Sequence, residues 1–145
     1  MLGAERWRGN WRVVSPLGGV RIELPRSRRR RRDVERTVRE LPAGTPVVLC
    51  ASAPGAGGRC RRFAARAGIA PERRYLAFPS AAAPGFLVEE GAAAVGFFLR
   101  TVLVAPPGTM LSAPIGAGLS VLRALAPWRV TRGLAPGRVV VGRRT

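Results

Sequence analysis

Thr45-Pro-Val-Val-Leu-Cys-Ala-Ser52 reads as a β-strand, and the segments on either side of it decide the fold. Val47, Val48 and Leu49 run on without a polar break, the pattern of a strand covered from both sides. Upstream, Gly18-Gly-Val-Arg-Ile-Glu-Leu-Pro25 alternates Val20, Ile22 and Leu24 with Arg21 and Glu23, which predicts another strand. Between the two, Ser27 to Leu41 is a predicted helix. Ser27 is a suitable N-cap, and Val34, Val38 and Leu41 recur at i, i+4 and i+7 on one narrow stripe. Pro42-Ala-Gly-Thr-Pro46 stops that helix. Downstream, Gly58 to Gly68 is predicted helical, with Cys60, Phe63, Ala64 and Ala67 on one side and Gly68 as its stop. Glu72-Arg-Arg-Tyr-Leu-Ala-Phe-Pro79 is a third strand. Strand, helix, strand, helix, strand predicts an α/β fold with a parallel sheet and ligands at the strands' carboxyl ends.

The rest of the chain is organised around this run. Residues 1–17 read as a basic lead-in carrying Trp7 and Trp11, and 18–145 as a single α/β unit. Trp11 to Val14 is a short edge strand or the tail of an upstream element. Residues 81–136 read as a helical insertion. Its first helix opens at Glu89 or Glu90, turns Val95, Phe98, Leu99 and Val102 inward, and breaks at Pro106-Pro-Gly108. Ile115, Leu119, Leu122 and Leu125 make a second amphipathic helix closed by Pro127, and Trp128 begins a short third piece. Gly137-Arg-Val-Val-Val-Gly142 is the last strand.

At 145 residues and 47% hydrophobic content the chain is long and apolar enough for one folded domain, which excludes disorder throughout. The formal charge of +17 invites an anionic partner. All 25 basic residues are Arg, with no Lys, His or Gln. Arg, Ala, Gly and Pro share GC-rich codons, so genomic codon bias accounts for much of the charge. Residues 1–75 carry 18 Arg against 6 acids, net +12, and residues 76–145 carry 7 against 2, net +5. An anionic partner is therefore expected on the first half. The two cysteines, Cys50 and Cys60, read as buried hydrophobes in a reducing compartment. Without His, neither a structural zinc site nor a Ser-His-Asp or Cys-His arrangement can be assembled, so no catalytic residue and no metal site is assigned. No secretory h-region is visible, and the longest apolar run, Ala92 to Leu99, is too short to span a bilayer, so the expected location is cytoplasmic.

Ser52-Ala-Pro-Gly-Ala-Gly-Gly-Arg59 lies between a strand and a helix, where Gly-rich phosphate cradles occur. It departs from a dinucleotide fingerprint, because Cys60 stands at the third glycine and no acid follows about 20 positions on. A phosphate loop of the Gly-Lys-Ser/Thr kind needs a Lys that the chain lacks. A flexible connection is the simpler reading, and an anion-contacting loop with Arg59 the sharper one. The run Arg28 to Arg32, with Arg36 and Arg39, sits at the positive end of a helix, where cations are unfavourable. Asp33, Glu35 and Glu40 offset it only in part. The run suits phosphate tracking or a solvated first turn, but its spacing matches no nucleic-acid reader, so nucleic acid is not the favoured partner.

In order, these elements resemble the second half of a class I S-adenosylmethionine-dependent methyltransferase. In that family a strand, here Val20-Arg-Ile-Glu-Leu-Pro25, leads through a helix and a Pro/Gly turn, Leu41-Pro-Ala-Gly-Thr45, to the next strand, Val47-Val-Leu-Cys-Ala51. A helix ending in an Ala-Gly-aliphatic step follows, here Ala67-Gly-Ile69, and the family's last strand is antiparallel, which Gly137 to Gly142 fits. Tyr75-Leu-Ala-Phe-Pro-Ser80 and Pro84-Gly-Phe-Leu-Val88 look like the tails of such enzymes from surface-polysaccharide gene clusters. The resemblance implies a partial Rossmann-like sheet with helices on its faces and a helical insertion before the last strand. The family holds its cofactor on a Gly-rich turn after the first strand and an acid ending the second, and neither precedes Val20. S-adenosylmethionine is therefore expected only if a partner chain completes the sheet, and the chain reads as truncated, split or non-catalytic. Under this resemblance Pro25, Arg26 and Ser27, the stretch Ser52 to Arg59 with Gly55, Gly57 and Gly58, and Ser80 approach the substrate. Arg26 and Arg59 would suit an anionic substrate such as a phosphorylated or nucleotide-linked sugar. Two rival expectations stand beside it: an Arg-rich module binding nucleic acid or an anionic surface through residues 21–39, and an interaction protein pairing through its sheet edge.

Overall fold

The computed structural model describes residues 19–52, 55–82, 84–101, 132–133 and 135–145. In chain order the elements are β1 (Val20–Glu23), α1 (Arg28–Arg39), β2 (Pro46–Ser52), α2 (Ala56–Ala67), β3 (Ile69–Pro79), β4 (Pro84–Glu89), α3 (Ala92–Thr101) and β5 (Gly137–Arg144). The five strands form one mixed sheet in the order β1-β2-β5-β3-β4. β1 runs parallel to β2, whereas β5 is antiparallel to both β2 and β3, so β1, β2 and β3 all point the same way.

The last strand therefore lies at the centre of the sheet, between two strands whose connection, α2, crosses one face. Its apolar run explains the placement: Val139, Val140 and Val141 are all buried, which requires cover on both faces. Two glycines admit it. A Cβ at Gly142 would fall well inside 3.0 Å of the Ala70 carbonyl oxygen, and one at Gly137 equally close to the Ala81 nitrogen. β3 at one end of β5, and the turn after β3 at the other, thus approach at distances only hydrogen permits.

α1, α2 and α3 pack against the same face of the sheet. Val47, Leu49 and Ala51 of β2 meet Val38 of α1 and Cys60, Phe63 and Ala64 of α2. Farther along that face, Leu76 and Val88 meet Val95, Phe98 and Leu99 of α3. The register Ala51–Arg138–Leu76 ties the two clusters to one side. On the other face Val48, Cys50, Ala77, Val139 and Val141 are buried as well. The described helices thus share one face.

The predicted strands and helices of residues 18–79 are present with shifted ends. Ser27 holds the N-cap position of α1 in extended geometry, but its side chain makes no capping hydrogen bond. β3 begins at Ile69, three residues earlier than its composition suggested, directly after Gly68 closes α2 in a left-handed conformation (φ 66°). The interval 81–136 is not purely helical: β4 pairs antiparallel with β3, Leu76 opposite Val88 and Phe78 opposite Phe86. The last strand continues past Gly142 to Arg144. The basic lead-in, the second insertion helix, Pro106 to Gly108 and Trp128 lie outside the described residues. No described helix is long and apolar enough to cross a membrane.

Arginines complete the helix ends, whose last carbonyls lack partners within the helix. Arg39 donates from Nε (3.0 Å) and Nη2 (2.7 Å) to the Arg66 carbonyl near the end of α2. Arg144 at the end of β5 donates to the carbonyls of Gly68 (3.3 Å) and Arg39 (3.3 Å), joining the carboxyl ends of both helices to the sheet.

Candidate anion-binding site

α2 starts beyond the carboxyl end of β2 at Gly55, whose left-handed backbone (φ 70°) turns the chain into the helix. A cleft flanks α2 on each side.

The first, of about 570 Å³, separates α1 from α2. α1 contributes Arg28, Arg31, Arg32 and Glu35, residues at i, i+3, i+4 and i+7 that helical geometry sets on one face. α2 contributes Arg59, Arg62 and Arg66 at i, i+3 and i+7, and the β1–α1 turn adds Arg26. Seven guanidinium groups thus face one carboxylate among the described lining residues. Two arginines brace the turns beneath: Arg31 donates to the carbonyls of Pro25 (3.0 Å) and Arg26, and Arg59 to that of Ser52. Glu35 is drawn along α1 by Arg39 at 2.7 Å. Neither helix has an acidic residue in its first turn, so two positive helix ends add to the field.

The second cleft, of about 560 Å³, lies on the other side of α2 over β5 and β3. Gly55, Gly57 and Gly58 form one rim. The floor holds Arg138, whose side chain is only 7% exposed. Glu90 lies between two cations, with Arg138 Nη1 at 3.3 Å from one oxygen and Arg132 on the other. The Arg138 contact is a charge pairing, since Nη1 is buried without a hydrogen bond. Burial pulls the Arg138 guanidinium below its ordinary pKa, and Glu90 opposes that. α2 passes close above: a Cβ at Gly57 would stand 3.5 Å from Arg138 Nε.

Of the residues the sequence singled out, Arg26, Gly55 and Arg59 come together in the first cleft, and Gly55, Gly57 and Gly58 in the second. Ser52 contributes its carbonyl to Arg59. Ser27 is exposed at the start of α1, between the lining residues Arg26 and Arg28, and half-buried Ser80 lies beside Gly137; neither lines a cleft itself. Sequence reasoning missed Arg62 and Arg66, whose spacing from Arg59 was the available signal. It also missed the Glu90, Arg132 and Arg138 group, signalled only by a lone Arg inside a Val-rich strand.

The chemistry these groups offer is anion binding. Cys50 and Cys60 are buried and unpaired, in clusters on opposite faces of the sheet. Burial pushes their thiols up to about 11 and about 12, so neither is a thiolate nucleophile near neutrality. No group of three or more His, Cys, Asp or Glu that could hold a metal ion occurs among the described residues. Comparisons with protein-family models, with curated proteins and with solved structures find no match to this chain.

Proposed function

We propose that this chain is a methyltransferase-like α/β unit that contributes the later strands of a Rossmann-like sheet and takes the earlier ones from another polypeptide. The observation that carries this reading is the position of β5: a last strand, antiparallel to its neighbours, inserted between β2 and β3, with α1 and α2 on one face. β1 supports it too. It has four residues, and among the described strands it pairs on one side only, with β2. A parallel strand added there would extend the sheet in the direction the family requires.

The described residues do not fit S-adenosylmethionine by themselves. That cofactor carries a sulfonium and an ammonium cation against a single carboxylate, a net positive charge, and the cleft between α1 and α2 confronts any ligand with seven arginines and one carboxylate. Glu90, the carboxylate of the other cleft, is already shared by two arginines. The chain's contribution is to bind and orient an anionic substrate beside a cofactor held elsewhere, and polysaccharide or nucleotide-sugar metabolism supplies substrates of that charge.

Calorimetric titration with S-adenosylmethionine and its demethylated product tests the reading, together with photocrosslinking from the exposed position 21 of β1. The expected result is no heat from the chain alone, and a crosslinked polypeptide whose complex with it binds the cofactor. Saturable micromolar binding by the isolated chain, or a stable monomer that never crosslinks through β1, overturns it.

A further inference from the structure

We infer that the cleft between α1 and α2 binds the diphosphate group of a small phosphorylated ligand. The inference rests on the two helices alone and stands whether or not the sheet belongs to a methyltransferase.

Packing α1 against α2 brings like charges together. Arg28 and Arg32 form an i, i+4 pair on one wall, and Arg62 and Arg66 form another on the facing wall. Such pairs repel along a helix, and their convergence across a cleft adds to the repulsion. All four side chains are exposed, so none is held there by burial. Glu35, the one carboxylate in the lining, is engaged by Arg39. A multiply charged anion removes the repulsion, and guanidinium forks match phosphate oxygens in pairs. Two arginines per wall match two phosphate groups, one for each wall.

The shape favours a small ligand over a nucleic-acid strand. The charges converge into one cleft of about 570 Å³, within the range of single-ligand sites. Binding of single strands adds aromatic platforms for base stacking. The one aromatic ring in this lining, Phe63, is buried against the sheet and offers none.

The test is titration of the full chain with pyrophosphate, ADP, orthophosphate and a single-stranded oligonucleotide at one fixed ionic strength. Pyrophosphate and ADP are expected to saturate at one per chain, at least tenfold more tightly than orthophosphate. The double variant R28A/R62A should weaken both at least tenfold. The equally charge-depleted R29A/R30A, on α1 but outside the cleft lining, should change them less than twofold. E35Q, which removes the cleft's carboxylate, should tighten them, and it decides the matter if R28A/R62A does not fold. Equal losses in the two double variants, weaker binding in E35Q, or oligonucleotide binding that pyrophosphate does not compete would each overturn the inference.

Discussion

Arg138 and Glu90 meet at 3.3 Å beneath the first turn of α2, each about nine-tenths buried. Arg138 lies in the central strand, and Glu90 follows the edge strand β4, so the pair joins the middle of the sheet to its rim. Removing one partner strands the other's charge away from water. Glu90→Gln is expected to lower stability by about 2–3 kcal/mol, more than an exposed ion pair contributes. Arg138→Met, which removes the charge and keeps an apolar stem, should cost less than Glu90→Gln. Urea unfolding of both variants measures the difference, and equal losses would contradict a buried-charge origin.

Gly142 and Gly137 should not tolerate a methyl group. Each faces β3 or the turn after it at a separation that a Cβ cannot share with backbone. Gly142→Ala and Gly137→Ala are each expected to cost about 1–3 kcal/mol through displacement of β5 from β3. Gly91→Ala is the control. Nothing lies within 4 Å of its would-be Cβ, and its change should stay within about 0.5 kcal/mol. Thermal unfolding of the three variants ranks them.

Arg39 is expected to matter more than its exposure suggests. It gives two hydrogen bonds to the Arg66 carbonyl and one to Glu35. Arg39→Ala should cost about 1 kcal/mol and loosen the carboxyl end of α2. Arg39→Lys keeps the charge but not the fork, and should recover only part of the loss. Hydrogen exchange of the last turn of α2 reads the local effect directly.

Stability should fall as the solution becomes alkaline. Burial raises the Cys50 and Cys60 thiols from an ordinary 9.0 to about 11 and about 12. Between pH 9 and those values the unfolded chain gives up protons that the folded chain retains, so unfolding is favoured as pH rises. The contribution is fully present below pH 9 and lost as pH passes through the folded values. Cys50→Ala and Cys60→Ala should each flatten that slope, beyond their cost in packing. Denaturation curves from pH 8 to 10.5 test this, and native thiols should react slowly with a disulfide reagent at pH 8.

Local pattern was sufficient for much of this chain. The uninterrupted Val47-Val-Leu49 run, the Val34, Val38 and Leu41 stripe, and Gly68 as a helix stop all act within a few residues of themselves. They marked β2, α1 and the end of α2, and with them the α/β class. β4 was not legible, because Pro84 to Glu89 is short, begins with Pro and Gly, and becomes a strand only by pairing with β3. Three features depended on long-range packing. The insertion of β5 between β2 and β3 was set by which strand edges remained open and by glycines that admit close backbone approach. The union of Arg28 and Arg32 with Arg62 and Arg66 was set by α1 and α2 sharing one face. The joining of Arg138 to Glu90 was set by the register of β5 and the β3–β4 hairpin. Sequence by itself determined the strands and helices of residues 18–79 and the last strand, because those choices depend on periodicity and turn chemistry. Only the tertiary structure decided which charges meet, because that depends on distances between segments far apart along the chain.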